Sequence, residues 1–353
     1  MRLVKGLLLL LMVIGCAHVS ISQYNLGREH TREAVELPSL GDVANASYRY
    51  IFEPQQNQIP SEPIEVYKLA RAELDALPKD RISAVRFGHS TVLIKIEGQY
   101  WLTDPVFSNS LGPIYSLGVK RFHDAPLTIS ELPLIKGVLI SHNHYDHLDR
   151  LTVEALRKKV EHFYVPLGNG EYLVNWGIDP ENITELDWWE SVNVGELTIV
   201  ATPANHISGR VLIDQNKALW SSWVLHSNTQ SVFYSGDGGY SGIFKEIGER
   251  YGPFDLTLME NGSYDHSWKN EHLMPEQAVQ AHIDLGGHVL MPIHNSTFDL
   301  AFHEWNDPLE SISLLAKRKG INLAVPSMGK PVTVESSSHD VAILNQDLWW
   351  QSK

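Results

Sequence analysis

Short apolar runs alternate with segments of helical spacing along most of the chain. Strand-like runs occupy residues 82–87, 91–104, 137–141, 163–166, 196–206, 218–226, 231–237, 254–262 and 288–295. Helices are predicted at 64–77, where the apolar positions have helical spacing, and at 150–159, 168–177, 240–252, 275–286 and 307–320. Glu97-Gly98, in the middle of the second strand-like run, predicts a hairpin. Alternating strands and helices predict an α/β fold, and the absence of a linker between about 82 and 335 predicts one domain.

The N-terminus has a different pattern, which is typical of a secreted lipoprotein. Arg2 and Lys5 precede an apolar run at 6–14 that is too short to span a bilayer as a helix. Residues 13–16 resemble the bacterial lipobox, in which the cysteine is lipidated, so residues 1–15 are the expected signal peptide. The alternative is an ordinary signal peptide followed by an unrelated cysteine.

Three segments follow from this interpretation: the signal peptide at 1–15, a polar tether and lead-in at 16–63, and the folded domain at 64–353. Lipidation of Cys16 would attach the protein to a membrane. The residue after the cysteine is Ala17 and not an aspartate, which resembles the pattern of lipoproteins that are sent on to the outer membrane. We therefore expect a bacterial cell-envelope protein, lipid-anchored in the outer membrane and facing the periplasm.

Composition narrows the range of partners. The 353 residues are 43% hydrophobic and 20% charged, as in ordinary globular proteins, with a formal net charge of −14. An acidic surface repels a phosphate backbone, so the charge disfavours long nucleic acids as partners. The single cysteine excludes an intrachain disulfide.

The stretch SHNHYDHLD at 141–149 carries the strongest chemical signal. Its four potential metal ligands are His142, His144, Asp146 and His147, directly after a buried strand-like run. Neutral imidazoles and a carboxylate suit a borderline Lewis acid such as zinc, and a loop at a strand end can present them on a rigid scaffold. The alternative is a histidine-rich surface loop.

Further ligands are expected at later strand ends. His206, Asp237 and His294 each follow a strand-like run, so each could reach one edge of a sheet. Taken singly, each has another interpretation, because Asp237 could be a turn residue and His294 a buried strand histidine. Taken together, the three predict a dinuclear site.

This pattern, HxHxDH followed by His, Asp and His at strand ends, resembles the metallo-β-lactamase superfamily. Further segments resemble the N-acyl-phosphatidylethanolamine-hydrolysing phospholipase D family: GHSTVLIKI at 88–96, LTDPVFS at 102–108, KRFHDAPLTISELPLI at 120–135, FYVPLG at 163–168, ITELDWWE at 183–190, GDGGY at 236–240 and ERYGPFDL at 249–256. The resemblance covers roughly residues 80–330. It implies a four-layer αβ/βα sandwich with two zinc ions that hydrolyses such phospholipids to phosphatidic acid and an N-acylethanolamine.

The resemblance also implies a role for each ligand. One zinc would be bound by His142, His144 and His206, the other by Asp146, His147 and His294, with Asp237 bridging the two. A metal-bridging hydroxide would attack phosphorus, with Asp146 and Asp237 in catalytic positions and His272 binding or protonating the leaving oxygen. Asp104 would support a ligand imidazole or would simply precede the turn at Pro105. His89 could support the site or belong to the core.

Some segments depart from the family. Asn295-Ser296 replaces a Trp-Gly pair after the last ligand, and residues 261–270 are more polar than expected. These segments line the substrate side, so the physiological lipid stays open. Two alternatives therefore remain: a lactonase or other metal-dependent hydrolase on the same fold, and a non-catalytic envelope lipoprotein. Trp188 and Trp189 are expected in the core or a pocket wall.

Overall fold

The computed structural model describes residues 40–53, 56–211, 213–334, 343–344 and 348–351. The expected signal peptide and Cys16 lie outside these residues. Within the described ranges, no helix combines the length and the apolar character needed to cross a membrane.

Seven helices and 17 strands are described. The helices are α1 Leu40–Phe52, α2 Arg71–Asp75, α3 Arg150–Leu156, α4 Gly170–Asn175, α5 Ile243–Tyr251, α6 Pro275–Asp284 and α7 Asp307–Lys319. The strands are β1 Ser83–Gly88, β2 Thr91–Ile96, β3 Gln99–Thr103, β4 Ser110–Leu111, β5 Val119–Lys120, β6 Gly137–Leu139, β7 Phe163–Pro166, β8 Ile183–Leu186, β9 Ser191–Val194, β10 Leu197–Thr202, β11 Ser222–His226, β12 Ser231–Tyr234, β13 Phe254–Glu260, β14 Gly287–Ile293, β15 Asn322–Ala324, β16 Val332–Thr333 and β17 Ile343–Leu344.

Two large mixed sheets form the body of the molecule. The N-terminal sheet has the order β16-β1-β2-β3-β6-β7-β8, and the C-terminal sheet has the order β17-β15-β14-β13-β12-β11-β10-β9. Strands β3, β6, β7 and β8 are parallel neighbours in the first sheet, and β12 to β15 are parallel neighbours in the second. The carboxyl ends of the parallel strands therefore meet at one edge of each sheet.

The apolar core is divided into layers. One cluster joins residues of both sheets, such as Trp101 and Trp223, and therefore lies between them. A second cluster packs α3 and α4 on the outer face of the N-terminal sheet, and a third packs α5, α6 and α7 on the outer face of the C-terminal sheet. This is the expected four-layer αβ/βα sandwich.

The expected hairpin between β2 and β3 is present. Glu97 and Gly98 have φ angles of 48° and 70°, the two positive values that a type I′ turn requires. Because both faces of β2 are buried, its sequence is a nearly continuous apolar run with no alternation.

The helix expected at 64–77 is wrong over most of its length, since only α2 at 71–75 is helical. Ile64 and Leu69 lie in a segment without regular secondary structure before it and belong to different core clusters. The backbone N–H of Tyr67 is bonded to the carbonyl of Met328, outside any helix. Tertiary packing has overridden a weak helical spacing here.

Part of the expected tether is an ordered helix. Arg49 in α1 donates to both carboxylate oxygens of Asp265, at 2.8 and 3.0 Å, and its guanidinium lies 4.4 Å from the ring centroid of Phe302. At the other end of the chain, Trp349 and Trp350 complete the outer C-terminal cluster. The packed unit therefore extends beyond the strands and helices that the apolar pattern indicates.

Candidate metal centre

All seven predicted ligands lie at one edge of the sandwich. His142, His144, Asp146 and His147 occupy the loop between β6 and α3, whereas His206, Asp237 and His294 follow β10, β12 and β14. Strands β10 and β12 are both antiparallel to β11, so they run in the same direction as β14 and end at the same edge. The sheet topology therefore brings together side chains that are up to 152 residues apart (294 − 142 = 152).

Three histidines converge on one side of this group. His144 Nδ1 lies 2.8 Å from His142 Nε2 and 3.4 Å from His206 Nε2. Two ligands bound to one tetrahedral zinc at about 2.1 Å lie roughly 3.4 Å apart. The three nitrogens therefore have a spacing that suits one metal ion.

A second trio converges on the other side. Asp146 Oδ2 lies 3.4 Å from His147 Nε2 and 3.3 Å from His294 Nε2. His89 Nε2 also approaches this carboxylate oxygen, at 2.9 Å. Burial lowers the pKa of His89 to about 3, so its neutral ring can donate Nε2–H to the carboxylate and hold it in place.

Asp237 stands between the two trios. Its Oδ2 lies 3.0 Å from both His147 Nε2 and His294 Nε2, 3.9 Å from His206 Nε2 and 4.0 Å from His142 Nε2. The structure thus brings one carboxylate oxygen within 4.0 Å of histidines from both trios.

Several of these buried atoms have no hydrogen-bond partner among the described residues. Asp237 Oδ1 and His294 Nδ1 have none, and His147 Nε2 and His294 Nε2 lie 3.0 Å from Asp237 Oδ2 without the geometry of a hydrogen bond. Leaving such groups unpaired in a core costs about 1–3 kcal/mol each, so an arrangement of this kind is expected only where another species satisfies them. Imidazoles and carboxylates that converge in this way fit a divalent metal ion.

The pKa values of His294 and Asp237 are shifted by their close contact. Burial opposes the charged form of His294, but the nearby carboxylates of Asp237 and Asp146 outweigh it and raise the pKa of His294 to about 10. Burial also disfavours the Asp237 carboxylate, yet the neighbouring His147 and His294 hold its pKa well below the usual range. Positive charge inside the site therefore stabilises its carboxylates.

Asp104 lies behind the ligands and orients one of them. Its Oδ2 accepts from His147 Nδ1 at 2.5 Å and also from the hydroxyls of Ser141 and Tyr234, while its Oδ1 accepts from the Ser141 backbone N–H at 2.7 Å. This contact fixes the His147 ring so that Nε2 faces Asp146 and Asp237. It is the arrangement usual around metal-binding histidines.

His272 also lies at the site, next to ligands of both trios. Its ring stacks on His294, with centroids 5.3 Å apart, and meets His206 edge-on at 5.4 Å. Its Nδ1 lies 4.0 Å from Asp237 Oδ2 and donates to Glu260, at the carboxyl end of β13.

Sequence analysis did not identify Glu260. The signal was a carboxylate that ends the apolar strand sequence FDLTLME, the same rule that identified the other strand-end ligands. Trp188 and Trp189 are half-buried: the Trp188 indole donates to the Trp220 carbonyl, and the Trp189 ring packs against the outer C-terminal cluster with Arg250 over it.

Comparisons with known proteins agree with this architecture. Residues 100–295 match the family described as the beta-lactamase superfamily domain. An uncharacterized protein of Mycobacterium tuberculosis, Rv0906, is 42% identical over 276 residues, which are 77% of this chain and 74% of that protein.

Two further proteins bear on family and fold. The N-acyl-phosphatidylethanolamine-hydrolyzing phospholipase D 1 of Caenorhabditis elegans is 32% identical over 265 residues, 71% of this chain and 74% of that enzyme. The structure of Igni18, a metallo hydrolase of Ignicoccus hospitalis, superposes with a TM-score of 0.57 at 22% identity, covering 72% of this chain and 99% of that one. With its two facing sheets and its His/Asp cluster, the chain belongs to the metallo-β-lactamase superfamily of metal-dependent hydrolases and resembles the N-acyl-phosphatidylethanolamine-hydrolysing phospholipases D.

Proposed function

We propose that this protein is a dinuclear zinc phosphodiesterase that hydrolyses N-acyl-phosphatidylethanolamine-type lipids to phosphatidic acid and N-acylethanolamine. The observation that carries the proposal is the position of Asp237 between two trios of ligands. One metal would be held by His142, His144 and His206 and the other by Asp146, His147 and His294, with Asp237 shared. The similarity to the worm phospholipase supports the choice of substrate class.

The donor set suits this chemistry. When bound, a pair of zinc ions supplies a nucleophile at neutral pH and offsets the charge of a phosphodiester. Asp146 and Asp237 would help to hold the two cations, whose positive charge would offset the negative charge of both carboxylates. His272 donates a proton to the leaving alkoxide oxygen, which is a poor leaving group without one.

We infer the direction of substrate approach from the exposed fractions of the side chains at the site. The Asp146 and His272 side chains are 18% and 15% exposed, whereas those of His142, His147, Asp237 and His294 are at most 2% exposed. A phosphodiester would therefore approach from the side of Asp146 and His272. We propose that the leaving group then lies near His272.

We also propose an envelope location. A lipidated Cys16 would hold the enzyme at a membrane surface, where a phospholipid substrate is concentrated. Mass spectrometry of the membrane-extracted protein tests this, since the lipidated form begins at Cys16 and carries acyl chains. Recovery of an unmodified, soluble protein would contradict it.

The test of the activity is a substrate panel with metal analysis. The purified protein is expected to contain close to two zinc ions per chain and to release phosphatidic acid from N-acyl-phosphatidylethanolamine. Asp146→Ala combined with Asp237→Ala should abolish both metal binding and turnover, whereas the exposed control Asp80→Asn should retain both. Unchanged activity in the double variant would refute the proposal.

A lactonase on the same scaffold is the competing hypothesis, because the ligand set would serve either reaction. The panel therefore includes acyl lactones beside the phosphodiester. Faster turnover of a lactone than of any phosphodiester would decide in favour of the lactonase.

A further inference from the structure

Glu260 is a fully buried carboxylate that the ligand scheme leaves unused. It ends β13, between the strands whose carboxyl ends lead to Asp237 and His294. A buried carboxylate is costly unless hydrogen bonds or positive charge compensate it. Its contacts therefore indicate what it does.

Both oxygens of Glu260 have partners. Oε1 accepts from His272 Nδ1, and Oε2 accepts from the backbone N–H of Gly238 at 2.8 Å. The Glu260 backbone N–H in turn donates to Ser235 Oγ at 2.9 Å. Glu260 therefore ties His272 to the segment that carries Asp237.

The same contacts argue against a metal-binding role for this carboxylate. Glu260 belongs to a group with Asp237, His272 and His294 that is compact enough to surround an ion. However, Oε1 lies 4.0 Å from His294 Nδ1, and its hydrogen bond goes to His272. Both oxygens are thus directed at protein N–H groups.

The contact also determines which His272 nitrogen is available. With Nδ1–H donated to Glu260, the other ring nitrogen, Nε2, makes no hydrogen bond to any residue in the described part of the chain. The side chain is 15% exposed, so this nitrogen is open to a substrate. Imidazoles oriented by a carboxylate at one nitrogen commonly act through the other.

We propose that Glu260 is a positioning residue that holds His272 through Nδ1, so that Nε2 donates the proton to the leaving oxygen. This inference rests on the phosphodiesterase function proposed above. In the step, a water oxygen bonds to phosphorus and the bond from phosphorus to the leaving oxygen breaks. His272 enters this step as the imidazolium, with Nδ1–H on Glu260 and a second proton on Nε2. The departing electron pair stays on the leaving oxygen and takes the Nε2 proton, which leaves a neutral ring, and the proton lost by the incoming water restores the imidazolium.

The test compares leaving groups. An alkyl phosphodiester, such as the N-acyl-phosphatidylethanolamine, needs proton donation, whereas bis(p-nitrophenyl) phosphate has a leaving group that departs as an anion. Glu260→Gln should lower kcat for the lipid about 10- to 100-fold with little change in KM, since general acid catalysis contributes roughly 10²–10⁴-fold. The same variant should hydrolyse the nitrophenyl ester at nearly the wild-type rate.

Two further variants test whether Glu260 acts through His272. His272→Ala should show the same selective loss, and the double variant should be no slower than His272→Ala, because Glu260 acts through that ring. Glu276→Gln, an exposed glutamate in the first turn of α6, is the matched control and should behave as the wild type. Equal losses on both substrates, or additive losses in the double variant, would overturn the proposal.

A measurement without turnover separates this inference from the proposed function. In ¹⁵N-edited NMR of the imidazoles, the His272 Nδ1 proton should be visible in the wild type and shifted or lost in Glu260→Gln, with unchanged zinc content. An unaltered His272 signal would overturn the inference even if phosphodiesters are hydrolysed. A clear change without hydrolysis of either phosphodiester would refute the proposed function and leave the Glu260–His272 contact established.

Discussion

At the scale of single residues, Asp104 holds the ring of the candidate ligand His147. Asp104 accepts four hydrogen bonds, two from Ser141 and one each from Tyr234 and His147. Asp104→Asn puts an amide N–H₂ where an oxygen must accept. We expect a loss of metal affinity of about 10–100-fold.

Competition with a chelator of known affinity measures this loss, and Asp80→Asn, an exposed aspartate, serves as the control. Wild-type affinity in Asp104→Asn would mean that the His147 ring is held by its packing alone.

The protonation of the metal-free site predicts a pH dependence. Burial opposes charge on His147 and His294, but the carboxylates around them raise the pKa of His147 well above its usual value and that of His294 to about 10. Without metal, both rings therefore carry an extra proton at neutral pH. Since a ligand nitrogen must be free of its proton, metal binding should release protons, and the apparent affinity should rise as the pH increases above neutrality.

Calorimetric titration of the chelated protein with zinc, in buffers of different ionisation enthalpy, counts the protons released. An apparent affinity independent of pH between 6 and 8 would contradict this charge distribution, because proton competition weakens binding at the lower pH.

The convergence of the seven candidate ligands could be predicted from the sequence because each lies in the loop that follows an apolar strand. Glu260 obeys the same rule, but its role depends on a contact with His272 across the turn at 261–271. The path of such a turn is set by tertiary contacts, among them the bond from Arg49 to Asp265. No local pattern encodes those contacts.

At the scale of elements, the turn that presents His272 is packed tightly against the segment of Asp237. A Cβ added to Gly239 would lie 2.0 Å from the carbonyl oxygen of Asn270, so the two backbones could not keep their present distance. Gly239→Ala should therefore displace the turn, lower turnover of the lipid and reduce stability by about 1–3 kcal/mol.

Gly242→Ala is the matched control, since nothing lies within 4 Å of its added Cβ. Thermal unfolding and steady-state kinetics of the two variants give the comparison. Equal behaviour of the two would show that the turn and the Asp237 segment can separate at no cost.

Helices and strands could be predicted where the spacing of apolar residues along the chain matches the way the segment packs in the fold, and not where the two differ. The strands at 82–104 were correctly predicted because each is long, apolar and bounded by turn residues. The segment at 64–70 has helical spacing but forms no helix, and Ile64 and Leu69 are buried in separate clusters. The conformation of this segment depends on the positions of the two core clusters that its apolar residues enter, which the local sequence does not specify.

At the scale of the whole molecule, the C-terminus completes the outer helical layer. Trp350 is 1% exposed, and Trp349 packs 6.4 Å from Trp305 between ring centroids. Trp350→Ala removes a large buried ring and should lower the free energy of unfolding by about 3–5 kcal/mol. Leu348→Ala, at a position that is 43% exposed, should change it by less than about 1 kcal/mol.

Denaturant unfolding followed by tryptophan fluorescence and circular dichroism measures both variants. A loss in Trp350→Ala as small as that in Leu348→Ala would show that the terminal residues add little to the packed unit.

The ligands come from both sheets, with the loop after β6 on one side and the segments after β10, β12 and β14 on the other. We expect a metal ion shared in this way to leave when ligands on one side move away from those on the other. The rate of metal exchange should then depend on how often the two sheets separate at this edge. Metal exchange would then report on the slow opening motions of the sandwich, and substitutions far from the ligands could alter how long an ion stays bound.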